Sequence, residues 1–228
     1  MPRERMRNTN AALRIGAGDD ISGYLLERVL EQDPSLIADS SADIEAYTFQ
    51  DCWTNTAQWA LRSDEIDLAF YCSHMAAHLV DQDDRLMIYG PVIMNAEVLA
   101  AKKESEKITR LGIGQQRKHL QGLIREAHPE IGEIVEMSPR ILPYSLSDGQ
   151  IDGAVLDVTK ASLLSGFQFA PIAKHDYISY VLVIRKDLIG SAPFERFLEA
   201  YRNAVDGLQE VYFDPALPKE YTRFLYLD

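Results

Sequence analysis

The chain has 228 residues, 46% of them hydrophobic and 25% charged, which excludes collagen-like, fibrous and wholly disordered chains. Lys and Arg number 23 against 35 Asp and Glu, so the net charge is −12. Such a chain repels phosphate backbones and anionic headgroups, and neither nucleic acid nor a membrane surface is an expected partner. Two cysteines, Cys52 and Cys72, are too few for a disulfide-dense scaffold or a zinc ribbon.

The first ten residues are basic but lead into no apolar leader region, and no apolar run long enough to span a bilayer follows anywhere. The expectation is either a cytoplasmic chain or an extracytoplasmic one whose leader has been removed. A short strand over residues 11–17 ends at Gly18-Asp19-Asp20, and Leu25, Leu26, Val29 and Leu30 predict a helix over 21–32. Residues 43–49 read as a strand and 53–62 as a helix. A buried strand over 66–71 is followed by a helix over 73–80 with Ser73 as its cap. After a strand at 86–89, residues 91–101 look extended and 102–107 form a charged break.

The pattern then repeats. Strands are predicted at 108–113, 132–136 and 151–156, and helices at 115–127, 139–147 and 159–164. A long apolar strand covers 178–184 and an amphipathic helix 193–211, with Pro193 in its first turn. The aromatic tail, 213–228, is expected to pack across a surface. Short strands alternating with helices of about ten residues indicate βαβ units on mostly parallel sheets.

One internal echo stands out. Residues 61–70 (LRSDEIDLAF) resemble residues 146–155 (LSDGQIDGAV), and in each an Ile-Asp pair opens a buried strand. The reading is two α/β lobes of similar design, although helix–turn–strand units also look alike by chance.

With Leu13-Arg14-Ile15-Gly16 as an opening strand and ALRSDEIDLA and SLSDGQIDGAV as matching elements, the chain resembles the substrate-binding proteins of ABC transporters. Within them it looks most like the sulfonate, taurine and thiamine-precursor binders, but it has Asp64-Glu65 where those carry Gly. The resemblance implies an α/β, two-lobed type II periplasmic-binding-protein-like fold, each lobe a mixed, mostly parallel sheet flanked by helices. Lobe 1 would comprise 12–90 plus 180–228 and lobe 2 91–179, with hinge strands near 91–101 and 178–184. It further implies a monomer that closes on a small-molecule ligand in the cleft between lobes and delivers it to an ABC permease. The membrane would be met only through that permease or a missing leader or lipid anchor. No cofactor is expected.

Ligands of open α/β sheets sit beyond the carboxyl ends of the strands. The candidate ligand-binding residues are therefore Asp19, Asp20, Cys52, Trp53, Tyr71, Cys72, Ser73 and His74 in the first lobe. In the second they are Gln115, Gln116, Arg117, Ser138 and Asp157. Helix N-termini suit an anion, and Arg117 is the side chain expected to pair with a ligand carboxylate or sulfonate, the alternative being an exposed Arg in a first helical turn. With the strand order 2-1-3, Cys52 and Cys72 would flank the first strand with backbones ~10 Å apart, beyond the ~7 Å a disulfide spans. Two such thiols suit a soft metal or organometal, with His74 nearby, and equally suit small buried residues. His74 and His78, four apart, read as a packed or solvated pair, and 112–117 (GIGQQR) as a tight turn because Arg replaces the third Gly of a dinucleotide fingerprint. Trp53, Trp59, Tyr71 and Tyr89 supply a possible aromatic wall or core. The ligand expected is small and anionic, or linked to sulfur or a soft metal. The alternative function is a cytoplasmic enzyme of the same fold, of the menaquinone or thiamine-pyrimidine biosynthesis type, with Asp19, Asp51, His74 or Asp157 as acid or base.

Overall fold

The computed structural model describes residues 13–36, 48–49, 61–62, 65–103, 107–211, 213, 217 and 220–227. The described chain groups into two compact units. The first holds residues up to Val92, then Tyr180–Gln209 and Leu225 onward; the second holds Ile93–Ser179 and Glu210–Phe224.

The first unit is built on strands β1 (Ile15–Gly18), β2 (Thr48–Phe49), β3 (Leu68–Cys72), β4 (Leu86–Met94) and β10 (Ile178–Arg185). With the short β11 (Arg223–Phe224) they run in the order β11-β4-β10-β3-β1-β2. β1 is parallel to both β2 and β3, whereas β10 is antiparallel to β3, with Tyr180 opposite Cys72. Every residue of β3 is buried, as befits a strand covered on both faces. Helix α1 (Ile21–Gln32) buries Ile21, Leu25, Leu26, Val29 and Leu30, the spacing of one helical face. Helix α2 (Ser73–Gln82) follows β3. The long helix α6 (Ala192–Leu208) packs on α1 and contributes Phe194, Phe197 and Tyr201 to an aromatic cluster with Phe70. Its start combines Ser191, whose Oγ accepts from the N–H of Phe194, with Pro193 in the first turn, where a missing N–H costs nothing.

The second unit orders its sheet β7-β6-β8-β5-β9. These strands are β5 (Glu97–Lys102), β6 (Arg110–Gly114), β7 (Glu133–Met137), β8 (Gly153–Asp157) and β9 (Phe167–Pro171). β6 is parallel to β7 and β8, and β5 is antiparallel to β8 and β9. Helices α3 (Leu120–Ala127), α4 (Leu142–Ser147) and α5 (Val158–Ala161) complete it. Leu99, Leu111, Ile113, Leu120, Ile124, Val155 and Ile172 form its core.

Both units thus repeat one plan: second strand, first strand, third strand, then an antiparallel fourth. The sequence echo falls on the same joint in each. The Asp67 N–H donates to the Arg14 carbonyl (2.7 Å) and the Asp152 N–H to the Arg110 carbonyl (2.9 Å). In return Asp67 Oδ2 accepts from the Arg14 N–H (3.0 Å) and Asp152 Oδ2 from the Arg110 N–H (2.8 Å). Each carboxylate therefore closes the mouth of a parallel strand pair at its amino end. Asp67 also holds the Arg14 guanidinium in a two-armed ion pair, and Asp152 adds the Thr109 N–H.

Several local expectations change. The helix expected from 115 begins at Leu120, because Gln116 takes a left-handed conformation (φ 62°) and Gln115 donates its N–H to the Met137 carbonyl instead. Ser73 is the first helical residue and not the cap; Cys72 occupies the cap position, and its side chain does not cap the helix. The extended run 91–101 breaks at Asn95, also left-handed (φ 53°), into the end of β4 and the start of β5. β9 was not expected, since FQFAP is only five residues long and ends in proline. The helix expected over 53–62 lies outside the described residues except at Leu61–Arg62, which are helical.

Candidate ligand-binding residues at the strand ends

At the carboxyl end of β1 the chain turns sharply into α1. Asp20 caps the helix: its Oδ1 accepts from the Ser22 N–H (2.9 Å) and the Ser22 hydroxyl (2.6 Å), and its Oδ2 accepts from the Tyr180 hydroxyl (2.6 Å). Ser22, fully buried, accepts from the Gly18 N–H in turn (2.9 Å). The turn needs glycine at two points. A Cβ on Gly18 would lie 2.6 Å from the Asp20 carboxylate, and one on Gly23 would lie 2.4 Å from the Gly18 carbonyl oxygen. Asp19 is exposed beside this network.

At the end of β3, Tyr71 and Cys72 are buried in the sheet, Ser73 is half-buried and His74 exposed. Tyr71 therefore belongs to the core. His78 is also exposed and shares a hydrogen bond with the Gln82 amide (3.0 Å), which fits a solvated pair. Cys52, Trp53, Trp59 and Asp51 lie outside the described residues. Among the described residues no group of three His, Cys, Asp or Glu side chains is placed to hold a metal ion.

In the second unit, Gln115 and Gln116 are exposed on the turn after β6, where the Gln116 N–H donates to Glu136 (3.3 Å). Arg117 folds back toward the sheet, and its Nη1 donates to Glu97 Oε1 at 2.8 Å, with both side chains largely buried. The other Glu97 oxygen accepts from the hydroxyls of Tyr177 (2.9 Å) and Ser179 (3.0 Å). Burial, then the adjacent Glu97 carboxylate, push the Tyr177 phenol well above its ordinary value. Asp157, opposite Glu97 in the β5–β8 register, caps α5 by accepting from the Thr159 N–H (2.9 Å) and the Thr159 hydroxyl. Ser138 is half-buried and its carbonyl accepts from the Ile141 N–H (3.0 Å).

Four participants were missed by the sequence reading: Glu97, Tyr177, Ser179 and Tyr180. Glu97 carried a usable signal. It is the only charged residue in the run PVIMNAEVLAA, and a carboxylate in a buried strand demands partners. Of the other three, Tyr177 directly precedes β10 and Ser179 and Tyr180 lie in its first residues, and only the antiparallel pairing of β10 with β3 places Tyr180 near Asp20.

No protein-family model matches the chain, and no curated protein sequence does. Solved structures do. One is "the Methionine Binding Protein, MetQ", at 17% identity and a TM-score of 0.64 over 97% of this chain and 100% of that one. A second is the alkanesulfonate-binding protein SsuA from Xanthomonas axonopodis pv. citri bound to MOPS, at 16% identity and a TM-score of 0.62, covering 89% of this chain and 76% of that one. A third is the ligand-binding component of an ABC-type import system from Staphylococcus aureus with zinc bound, at 16% identity and a TM-score of 0.63 over 96% and 86%. At such identities the likeness is one of fold, and the fold is the type II periplasmic-binding-protein-like one.

Proposed function

We propose, from that fold, that this chain is the solute-binding component of an ABC-type uptake system: it takes a small molecule between its two units by hinge closure and presents it to a membrane permease. The observation that carries the reading is whole-chain likeness to three ligand-binding proteins, at least one of them a component of an ABC-type import system. Ligand contacts to both units would favour a closed state, and the binding energy would come from that difference. The permease places the protein on the outer side of a membrane, and no helix among the described residues is long and apolar enough to cross one.

Of the residues expected as acid or base in the alternative enzyme, Asp157 caps α5, Asp19 and His74 are exposed, and Asp51 lies outside the described residues. The ligand contacts are proposed among Asp19, Asp20, Ser73, His74, Gln115, Gln116, Ser138 and Asp157. The soft-metal form of the reading adds the thiolates of Cys52 and Cys72, the latter only 1% exposed.

A thermal-shift panel of amino acids, alkanesulfonates, pyrimidines and thiophilic metals tests the proposal. A true ligand at a hundred times its Kd stabilises by about 2.7 kcal/mol, a shift of several degrees. A panel with no concentration-dependent shift would count against solute binding. If a thiophilic metal is the hit, changing both cysteines to Ser should abolish it, and an unchanged affinity would end the thiol form.

A further inference from the structure

The expectation of an anionic ligand rested on helix N-termini and on one side chain, Arg117, and Arg117 already has an anion. Its guanidinium meets Glu97 at 2.8 Å, and the two side chains are 15% and 8% exposed. Glu97 cannot follow the guanidinium elsewhere, because its second oxygen is held by Tyr177 and Ser179. Those two are themselves fixed: the Ser179 hydroxyl accepts from the Ala96 N–H (2.9 Å), and the Tyr177 N–H donates to Asn95 Oδ1 (3.1 Å). Turning Arg117 toward a ligand would therefore leave a buried carboxylate without its countercharge, a state far costlier than a broken surface pair. A second carboxylate, Asp157, stands opposite Glu97 in the strand register.

We infer that Glu97 sets the charge class of the ligand: by keeping Arg117 in a closed ion pair, it makes the second unit turn away carboxylates and sulfonates and accept an uncharged or cationic polar group. This rests on the solute-binding reading and narrows it. Glu97 is here a positioning residue that acts through Arg117.

The probe is methanesulfonate, followed on the Arg117 Nε–H resonance of the intact 15N-labelled protein, assigned by comparison with Arg117→Lys. In the wild type and in Glu97→Asp, which keeps the carboxylate, the resonance stays unmoved through millimolar methanesulfonate. In Glu97→Gln it shifts saturably, with affinity raised about tenfold or more, the scale of one charge-assisted guanidinium contact. The gain disappears in Glu97→Gln/Arg117→Gln, which lacks the guanidinium. A merely structural glutamate would give loss and never gain. Saturable binding of methanesulfonate at Arg117 in the wild type overturns the inference, and that arm holds even if Glu97→Gln does not fold. Folded Glu97→Gln with no gain also overturns it. A ligand panel without a hit, alongside a gain in Glu97→Gln, would strike the solute-binding reading and leave the charge selection standing.

Discussion

The carboxylates of Asp67 and Asp152 each reach back to the first N–H groups of a neighbouring strand, at a point where the ladder has not yet begun. Side chains without that reach would leave those donors to water or, in the more buried first unit, to nothing. The two sites differ in burial, so their losses should differ. Asp67→Ala removes the two-armed ion pair to the partly buried Arg14 guanidinium as well as the acceptor of a backbone N–H, and should cost about 2–4 kcal/mol. Asp152→Ala removes two exposed hydrogen bonds and should cost about 1 kcal/mol. Urea unfolding of both variants checks the ranking, and equal losses would contradict it. These aspartates were legible as a repeated pair in the sequence, because both sites share the spacing to a strand. Glu97 was not read, because its three partners come from a turn 20 positions on and a segment 80 or more positions on. Spacing along a chain reports neighbours within an element and is silent on partners that only topology brings together.

Elements were legible where one face alone decides them. Helix α1 has the predicted bounds, since its apolar stripe is complete and Asp20 caps it; α6, capped by Ser191, begins one residue before its predicted start and ends at Leu208, short of the predicted 211. The start of α3 was misplaced because helical propensity in 115–119 loses to a left-handed turn at Gln116, which no side-chain pattern announces. The tail was read only as something that packs. It does so through β11, where Arg223 and Phe224 pair with Met94 and Ile93, and through Tyr221, whose hydroxyl donates to the Glu97 carbonyl (2.6 Å) and accepts from the Ile172 N–H (3.3 Å). Asn95 ties the same stretch down by donating to the Tyr221 carbonyl (2.8 Å). Burial pushes the Tyr221 phenol up from 10.0 to about 12. The unfolded chain therefore gives up this proton before the folded one does. The stability it contributes is whole below pH 10.0 and is lost as pH rises toward about 12. Two units on one phenol amount to about 2–3 kcal/mol. Tyr221→Phe should be less stable than wild type at neutral pH, through its lost hydrogen bonds, and should show a shallower alkaline decline in urea midpoint. A decline of the same steepness would place the effect elsewhere, with Tyr177 and Tyr201, whose phenols burial also raises.

At the scale of the molecule, composition and charge were informative mainly by exclusion, and the alternation of short strands with helices was enough for the fold class. What they did not disclose is the order in which the pieces become available. In the first unit's sheet β10 lies between β3 and β4, so a strand ending at Arg185 occupies the place beside one that ends at Cys72. The second unit has all five of its strands once Pro171 has been made. A chain growing from its amino end therefore completes its second sheet before its first, against the usual sequence in which the leading domain settles first. Until then the apolar edge of β3 stands without its antiparallel neighbour, an open strand edge of the kind that seeks other chains. Pulse proteolysis of ribosome-bound chains that end at residue 179 followed by an unstructured linker long enough to clear the exit tunnel should find 97–171 protected and 13–92 cut. Protection of the leading segment at that length would show that β1, β3 and their helices hold together without β10.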